Sequence, residues 1–254
     1  MPYNLPLVGL TLLGFIGNSQ TKELEGMAFI KSGRYAPLYK TTQEFVEIEG
    51  FYLDETAVTV AQYALFMEEN PQWKKDNIKS LFAEESYLSN WEEQKQNPKA
   101  PITYVSWFAA NAYCQSKNKR LPTIDEWEYV GLADENNLDA RTQKSYNQYI
   151  LDWYERPKSS TFPEVKSTFK NAWGIYDMHG LVWEWTLDFN AILISGESRK
   201  DGTTDRNLFC GSASIGAADL MNYAAFIRYA FRGSVEAKFA IKNLGFRCAC
   251  DAAN

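Results

Sequence analysis

Asn171 to Asp188 reads NAWGIYDMHGLVWEWTLD, with three tryptophans, two glycines, three acidic residues and the one histidine of the 254-residue chain, His179. It opens a tail of short aromatic runs and turns that begins at Ala172 and closes on a strong terminal strand, Leu244 to Cys250. Upstream, GMAFIKSGRY (26–35) alternates and then turns, and FVEIEGFYL (45–53) alternates with Gly50 at a bend or bulge, so both read as strands. Thr59-x-x-Gln62 and Thr123-x-x-Glu126 are capping boxes opening helices at VAQYALFMEEN and IDEWEYVGLAD. Ser106 caps a third, WFAANAYCQSK, whose Trp107, Ala110, Asn111 and Cys114 share one face at i, i+3, i+4 and i+7. The polar stretches Asn70 to Ala100 and Ala133 to Ser160 read as surface excursions. Few helices, many short strands and abundant rings predict an α+β fold whose loops carry much of the structure. Long loops need fixing points, and disulfides and bound calcium are the usual ones outside the cell.

Aromatics make up 15% of the residues and no linker interrupts them, which predicts one folded domain with a large core. A net charge of -6 without a basic stripe argues against nucleic acid or anionic lipid as a partner. A single histidine excludes a multi-histidine iron, zinc or copper centre built from this chain alone. Residues 1–19, MPYNLPLVGLTLLGFIGNS, carry no charge. Their apolar run from Leu5 to Gly17 is too short to span a bilayer but suits a signal peptide, with Gly17-Asn18-Ser19 as its cleavage site. Residues 20–254 are then the mature domain, periplasmic or secreted, with no membrane insertion after cleavage. The start lacks the usual basic residue, which leaves a buried segment of the domain as the other reading.

Six segments in fixed order resemble the formylglycine-generating enzyme, or sulfatase-modifying factor, family. They are MAFIKSGRY (27–35), FYLDETAVTVAQYALFM (51–67), PITYVSWFAANAYC (101–114), KRLPTIDEWEYV (119–130), the opening stretch (171–188) and NLGFRCA (243–249). The resemblance implies a variant of the C-type lectin fold. The tail from Leu208 to Ala249 looks most like the NirV-type proteins, accessory factors of copper nitrite reductases, which implies a periplasmic metalloenzyme partner.

Active members of that family oxidise a substrate cysteine at a copper ion held by two thiolates, a soft Cu(I) site. The corresponding segment here, Ala213 to Ser234, contains no cysteine, and Asp219 and Ala224 stand near the ligand places. Copper is therefore not expected, and neither is formylglycine-generating oxidase activity. The resemblance further implies a disulfide between Cys114 and Cys248, which leaves Cys210 for Cys250; as an alternative, Cys210 and Cys250 form a dithiol that binds copper or exchanges disulfides. It implies a calcium loop in which Asp177, Gly180, Val182 and Glu184 supply oxygens, the donors a hard cation prefers. The other reading of that loop makes Trp183 and Trp185 core rings and pairs Glu184 with an arginine or lysine. Arg232 and Asn243 match positions that shape the family's substrate groove, or else support the fold. Asp125 with Glu126 and Glu84 with Glu85 read as solvated charges. Three functions follow: a non-catalytic accessory domain, an oxidase with relocated ligands, or a lectin-like binding domain.

Overall fold

The computed structural model describes residues 24–37, 45–156, 161–191 and 220–252. Residues 1–19, Cys210 and all of Ala213 to Asp219 lie outside them, and with them the expected leader and the partner expected for Cys250.

The organising strand is β4 (Phe51–Asp54), which turns Phe51 and Leu53 inward while Tyr52 and Asp54 stay half-buried, the period of two expected of a sheet with one covered face. It lies between β1 (Met27–Ile30) and β7 (Ala249–Asp251), both antiparallel to it, with Leu53 opposite both Ala28 and Ala249. Beside this sheet, β2 (Gly33–Tyr35) pairs with β3 (Val46–Ile48), so Gly50 falls at the break between β3 and β4. The short strands β5 (Trp183–Glu184) and β6 (Leu244–Gly245) pair in parallel. The predicted terminal strand is thus two strands, because the backbone between them bends so that Arg247 can turn inward.

Three helices begin at the predicted caps. In α1 (Val60–Glu69) Thr59 Oγ1 accepts from Gln62 N at 3.3 Å while Gln62 Oε1 accepts from Thr59 N at 2.8 Å. A four-residue helix, α2 (Trp91–Gln94), follows, and α3 (Trp107–Ser116) is capped by Ser106. The inward face of α3 runs through Ala109, Ala110, Tyr113 and Cys114, which leaves Trp107 and Asn111 at its margin. The box Thr123–Glu126 opens α4 (Ile124–Gly131).

Two expected surface excursions are structural. The stretch 70–100 contributes Ala83, Tyr87 and Leu88 to the core, where the Tyr87 and Tyr63 hydroxyls meet at 2.6 Å. Glu84 is tied to the far end of the chain, accepting from Ala240 N at 2.8 Å. Within 133–160 lies α5 (Lys144–Glu155), which buries Tyr146, Ile150 and Trp153 at i, i+4 and i+7. A further helix, α6 (Leu220–Ser234), stands where only aromatic runs and turns were expected, and it packs on α5.

One core cluster joins α1, α3 and the C-terminal strands through Tyr63, Phe66, Tyr113, Trp185 and Phe246, and a second joins the main sheet to α4 and α5. The Cys114–Cys248 disulfide fastens α3 to the segment before β7, with Cα atoms 5.6 Å apart and a sequence separation of 134. Cys250 is a half-buried free thiol.

Candidate functional site

Two of the side chains that sequence reading marked as functional, Arg232 and Glu184, enter two buried ionic clusters that share one tryptophan, Trp127. The capping box fixes the start of α4, and its turn places Ile124, Trp127, Glu128 and Gly131 on the covered face at i, i+3, i+4 and i+7. Glu128 is therefore a carboxylate on an apolar stripe. Two arginines one turn apart on α6 answer it. Arg228 donates Nε at 2.9 Å and Nη2 at 2.6 Å, and its Nη1 reaches Tyr154 Oη at 3.1 Å. Arg232 donates Nη1 at 2.6 Å to Glu128 Oε1, the oxygen that also accepts from Arg228 Nε. Burial alone would raise the Glu128 carboxyl, but the two guanidiniums outweigh it and hold the group down at about 2.

Trp127 forms the wall between the clusters. Its ring lies 5.0 Å from the Arg232 guanidinium and 5.9 Å from that of Arg228. Its Nε1–H donates at 2.8 Å to Glu184, the centre of the second cluster. There Arg247 donates Nε to Glu184 Oε2 and Nη2 to Oε1, both at 2.8 Å. The remaining guanidinium edge takes the carbonyls of Asp54 at 3.2 Å and Tyr176 at 3.0 Å. The side chains of Arg247 and Glu184 are 0% and 1% exposed.

The calcium expectation does not fit these donors. Both Glu184 oxygens are occupied by Arg247 and Trp127. The Asp177 carboxylate accepts from Lys166 N at 2.5 Å, Thr168 N at 2.9 Å and Thr168 Oγ1 at 2.8 Å, so it closes a protein turn. Gly180 has φ +106°, and a Cβ there would strike the Tyr149 hydroxyl, so this glycine is required by the loop itself. An arginine stands where a divalent cation was expected, as the alternative pairing of Glu184 anticipated. The wild-type protein is accordingly expected to melt at the same temperature in millimolar calcium and in excess chelator; a rise with calcium that disappears in Glu184→Gln would restore the ion.

Arg232 and Asn243 are not joined by a hydrogen bond among the described residues. Arg232 belongs to the Glu128 cluster, whereas Asn243 lends its carbonyl to Trp183 N at 2.8 Å and so aligns β5 with β6. Ala224, near one of the thiolate places, is a fully buried core residue. His179 is sealed between Trp127, Tyr146 and Trp153, with ring centroids 5.4, 5.9 and 6.3 Å away. Its Nε2 faces Gly131 O at 3.0 Å, an acceptor only, so Nε2 carries the hydrogen and Nδ1 is left without a partner. Burial, reinforced by the Arg228 charge, lowers this ring to about 3 and keeps it neutral. Glu126, expected in solvent, is held by Arg120 at 2.6 Å.

Sequence reading overlooked Glu128, Arg228 and Arg247. A signal existed for the first two: a glutamate on the apolar stripe of α4, and arginines spaced i, i+4 in an otherwise apolar run.

A family model described as "Sulfatase-modifying factor enzyme 1-like domain" matches residues 14–252. The chain belongs to that family. Among its relatives, this family member is 28% identical over 255 residues to the formylglycine-generating enzyme of Bos taurus, an alignment covering 81% of this chain and 67% of that protein. It is likewise 28% identical over 265 residues to the formylglycine-generating enzyme of Streptomyces coelicolor, covering 84% and 82%. It is 30% identical over 166 residues to "Inactive C-alpha-formylglycine-generating enzyme 2" of Bos taurus, covering 60% and 50%. Among solved structures, PvdO from Pseudomonas aeruginosa overlays on 89% of the chain and 94% of its own, with a TM-score of 0.49 and 15% identity. No helix of the described residues is long and apolar enough to cross a membrane.

Proposed function

We propose that this protein is a non-catalytic member of the sulfatase-modifying factor family. It is an exported accessory factor that assists maturation of a metalloenzyme such as a copper nitrite reductase. The observation that carries the reading is the absence of any cysteine between Ala213 and Ser234. Cu(I) chemistry at a substrate thiol needs two soft donors there, and the segment offers one sulfur, that of Met221. In its described part, α6 spends its polar residues on Glu128 and Tyr154, a rigid salt-bridged support of the kind a binding fold keeps. Kinship to a protein named inactive is consistent with loss of the reaction. The accessory role and the export rest on the likeness of the tail to NirV-type proteins and on the leader-like residues 1–19.

Incubated with Cu(I), oxygen and a sulfatase-type cysteine peptide, the purified protein is expected to leave the peptide unchanged by mass spectrometry; conversion of the thiol to an aldehyde would overturn the reading and revive an oxidase using Cys210 and Cys250. Coexpression with a copper nitrite reductase is expected to raise the copper content of that enzyme. Equal copper with and without the protein would remove the accessory role.

A further inference from the structure

A polar cavity of about 140 Å³ lies where the end of β4 meets the C-terminal end of α3. Its lining holds three ammoniums, Lys117, Lys119 and Lys166, and three carboxylates, Glu25, Asp54 and Glu55. Two of the ammoniums are paired within the lining, Lys119 with Asp54 at 2.6 Å and Lys166 with Glu55 at 3.4 Å, while Lys117 turns to Glu69 at 3.2 Å. Glu25 has no ion-pair partner among the described residues. Arg247, which reaches the carbonyls of Asp54 and Glu55, is neutralised by Glu184. A ligand of one sign is therefore disfavoured, since an anion meets three carboxylates and a cation three ammoniums.

Tyr113 supplies the observation that points to a ligand. Its ring is packed against Tyr63, Phe66 and Phe246, with centroids 6.0, 5.3 and 5.3 Å away, and the residue is only 6% exposed. Its hydroxyl makes no hydrogen bond among the described residues, yet it is not one of the sealed polar atoms, because Tyr113 lines the cavity. Buried tyrosine hydroxyls ordinarily find a partner, as those of Tyr63 and Tyr87 do with each other at 2.6 Å. Burial, then the Asp54 and Glu69 charges, raise the Tyr113 phenol, so it keeps its proton and stays a donor.

We propose that this cavity binds a small free α-amino acid as its zwitterion. The ligand carboxylate faces the Tyr113 hydroxyl and the spare N–H groups of Lys117 and Lys119, since an ammonium has three donors and each of these lysines spends one on its carboxylate. The α-ammonium faces Glu25, the carboxylate without a partner, and Glu55, whose ion pair is the longest of the three. The ligand's own charges sum to zero, so it leaves the existing pairs and the charge balance intact. A free amino acid carries both signs on one carbon, whereas a peptide terminus carries only one of them. The cavity volume, several times that of a water at ~30 Å³, restricts the occupant to a small side chain such as that of alanine or serine. The cavity shares no lining residue with the Glu128 and Glu184 clusters, and this inference goes beyond the accessory role without depending on it.

Saturation-transfer NMR on the full chain tests the site, with L-alanine, L-serine, acetate, ethylamine and glycerol each at the same millimolar concentration and constant ionic strength. Signal transfer is expected for the two amino acids and for none of the other three. Tyr113→Phe removes only the hydroxyl and keeps the packed ring; titration should show L-alanine binding weakened about tenfold, the worth of one hydrogen bond to a charged group. Lys117→Met and Glu25→Gln, at less buried positions, should each weaken it several-fold, and they carry the comparison if Tyr113→Phe does not melt with the wild type. Absence of transfer to both amino acids, an equal signal from acetate, ethylamine or glycerol, or an unchanged alanine affinity in the folded variants would overturn the proposal.

Discussion

A variant with Cys114 and Cys248 both replaced by alanine is expected to melt about 10–20 °C below the wild type. A bridge closing a loop of more than 100 residues restricts the unfolded chain by up to about 4–5 kcal/mol, and for a domain of this size each kcal/mol is about 2–4 °C. The two sulfurs are also fully buried in the cluster of Tyr63, Tyr113 and Phe246, so their removal takes packing as well as the crosslink. Non-reducing peptide mapping should recover the two fragments joined. Alkylation of both cysteines without prior reduction, or a double variant melting within a few degrees of the wild type, would show that the bridge does not hold the fold.

The second large effect belongs to Glu184 and Arg247. Glu184→Gln is expected to cost about 3–5 kcal/mol, because it strands a fully buried guanidinium. The carbonyls of Asp54 and Tyr176 would remain as its neighbours, and neither neutralises it. Arg247→Met should cost a similar amount for the mirrored reason, with Glu184 then keeping only the indole N–H of Trp127. The double variant Glu184→Met, Arg247→Met should lose less than the sum, since removing both charges abolishes the desolvation penalty along with the pair. Urea titrations of the four proteins measure the cycle. Additive losses, or a Glu184→Gln loss below about 1 kcal/mol, would mean that the pair is not coupled as its geometry indicates.

What was legible in the sequence was whatever chain-local chemistry dictates. The capping boxes at Thr59 and Thr123 announced their helices because the reciprocal bonds lie within four residues. The alternation of 45–53 marked β3 and β4 for the same reason. The α5 helix was hidden by Lys144, Ser145, Gln148 and Asp152 on its outer face, which lower the mean hydropathy although Tyr146, Ile150 and Trp153 keep the helical period. The roles of Asp177 and Glu184 were open in the sequence at a different level. Carboxylates spaced seven apart in a turn-rich segment are compatible with a cation or with internal donors. The choice depended on Arg247, 63 residues downstream of Glu184, and on Lys166 and Thr168, which come from another loop. Arg228 and Arg232 were similarly ambiguous until α6 was seen lying against Glu128.

The position of β4 between β1 and β7 has a consequence for when this protein can finish folding. Its pairing with β1 is available early, since Ile30 and Phe51 are neighbours in sequence terms, but Leu53 meets Ala249 only after roughly 200 further residues have been made. At about 5–20 residues per second, a ribosome leaves one edge of the central strand unpaired for roughly 10–40 s. During that interval the Cys114 thiol also lacks its mate, and the carbonyl of Asp54 lacks Arg247. The nascent chain must therefore be kept from pairing with its neighbours, and it stays in an unlocked, threadable state until its last strand emerges.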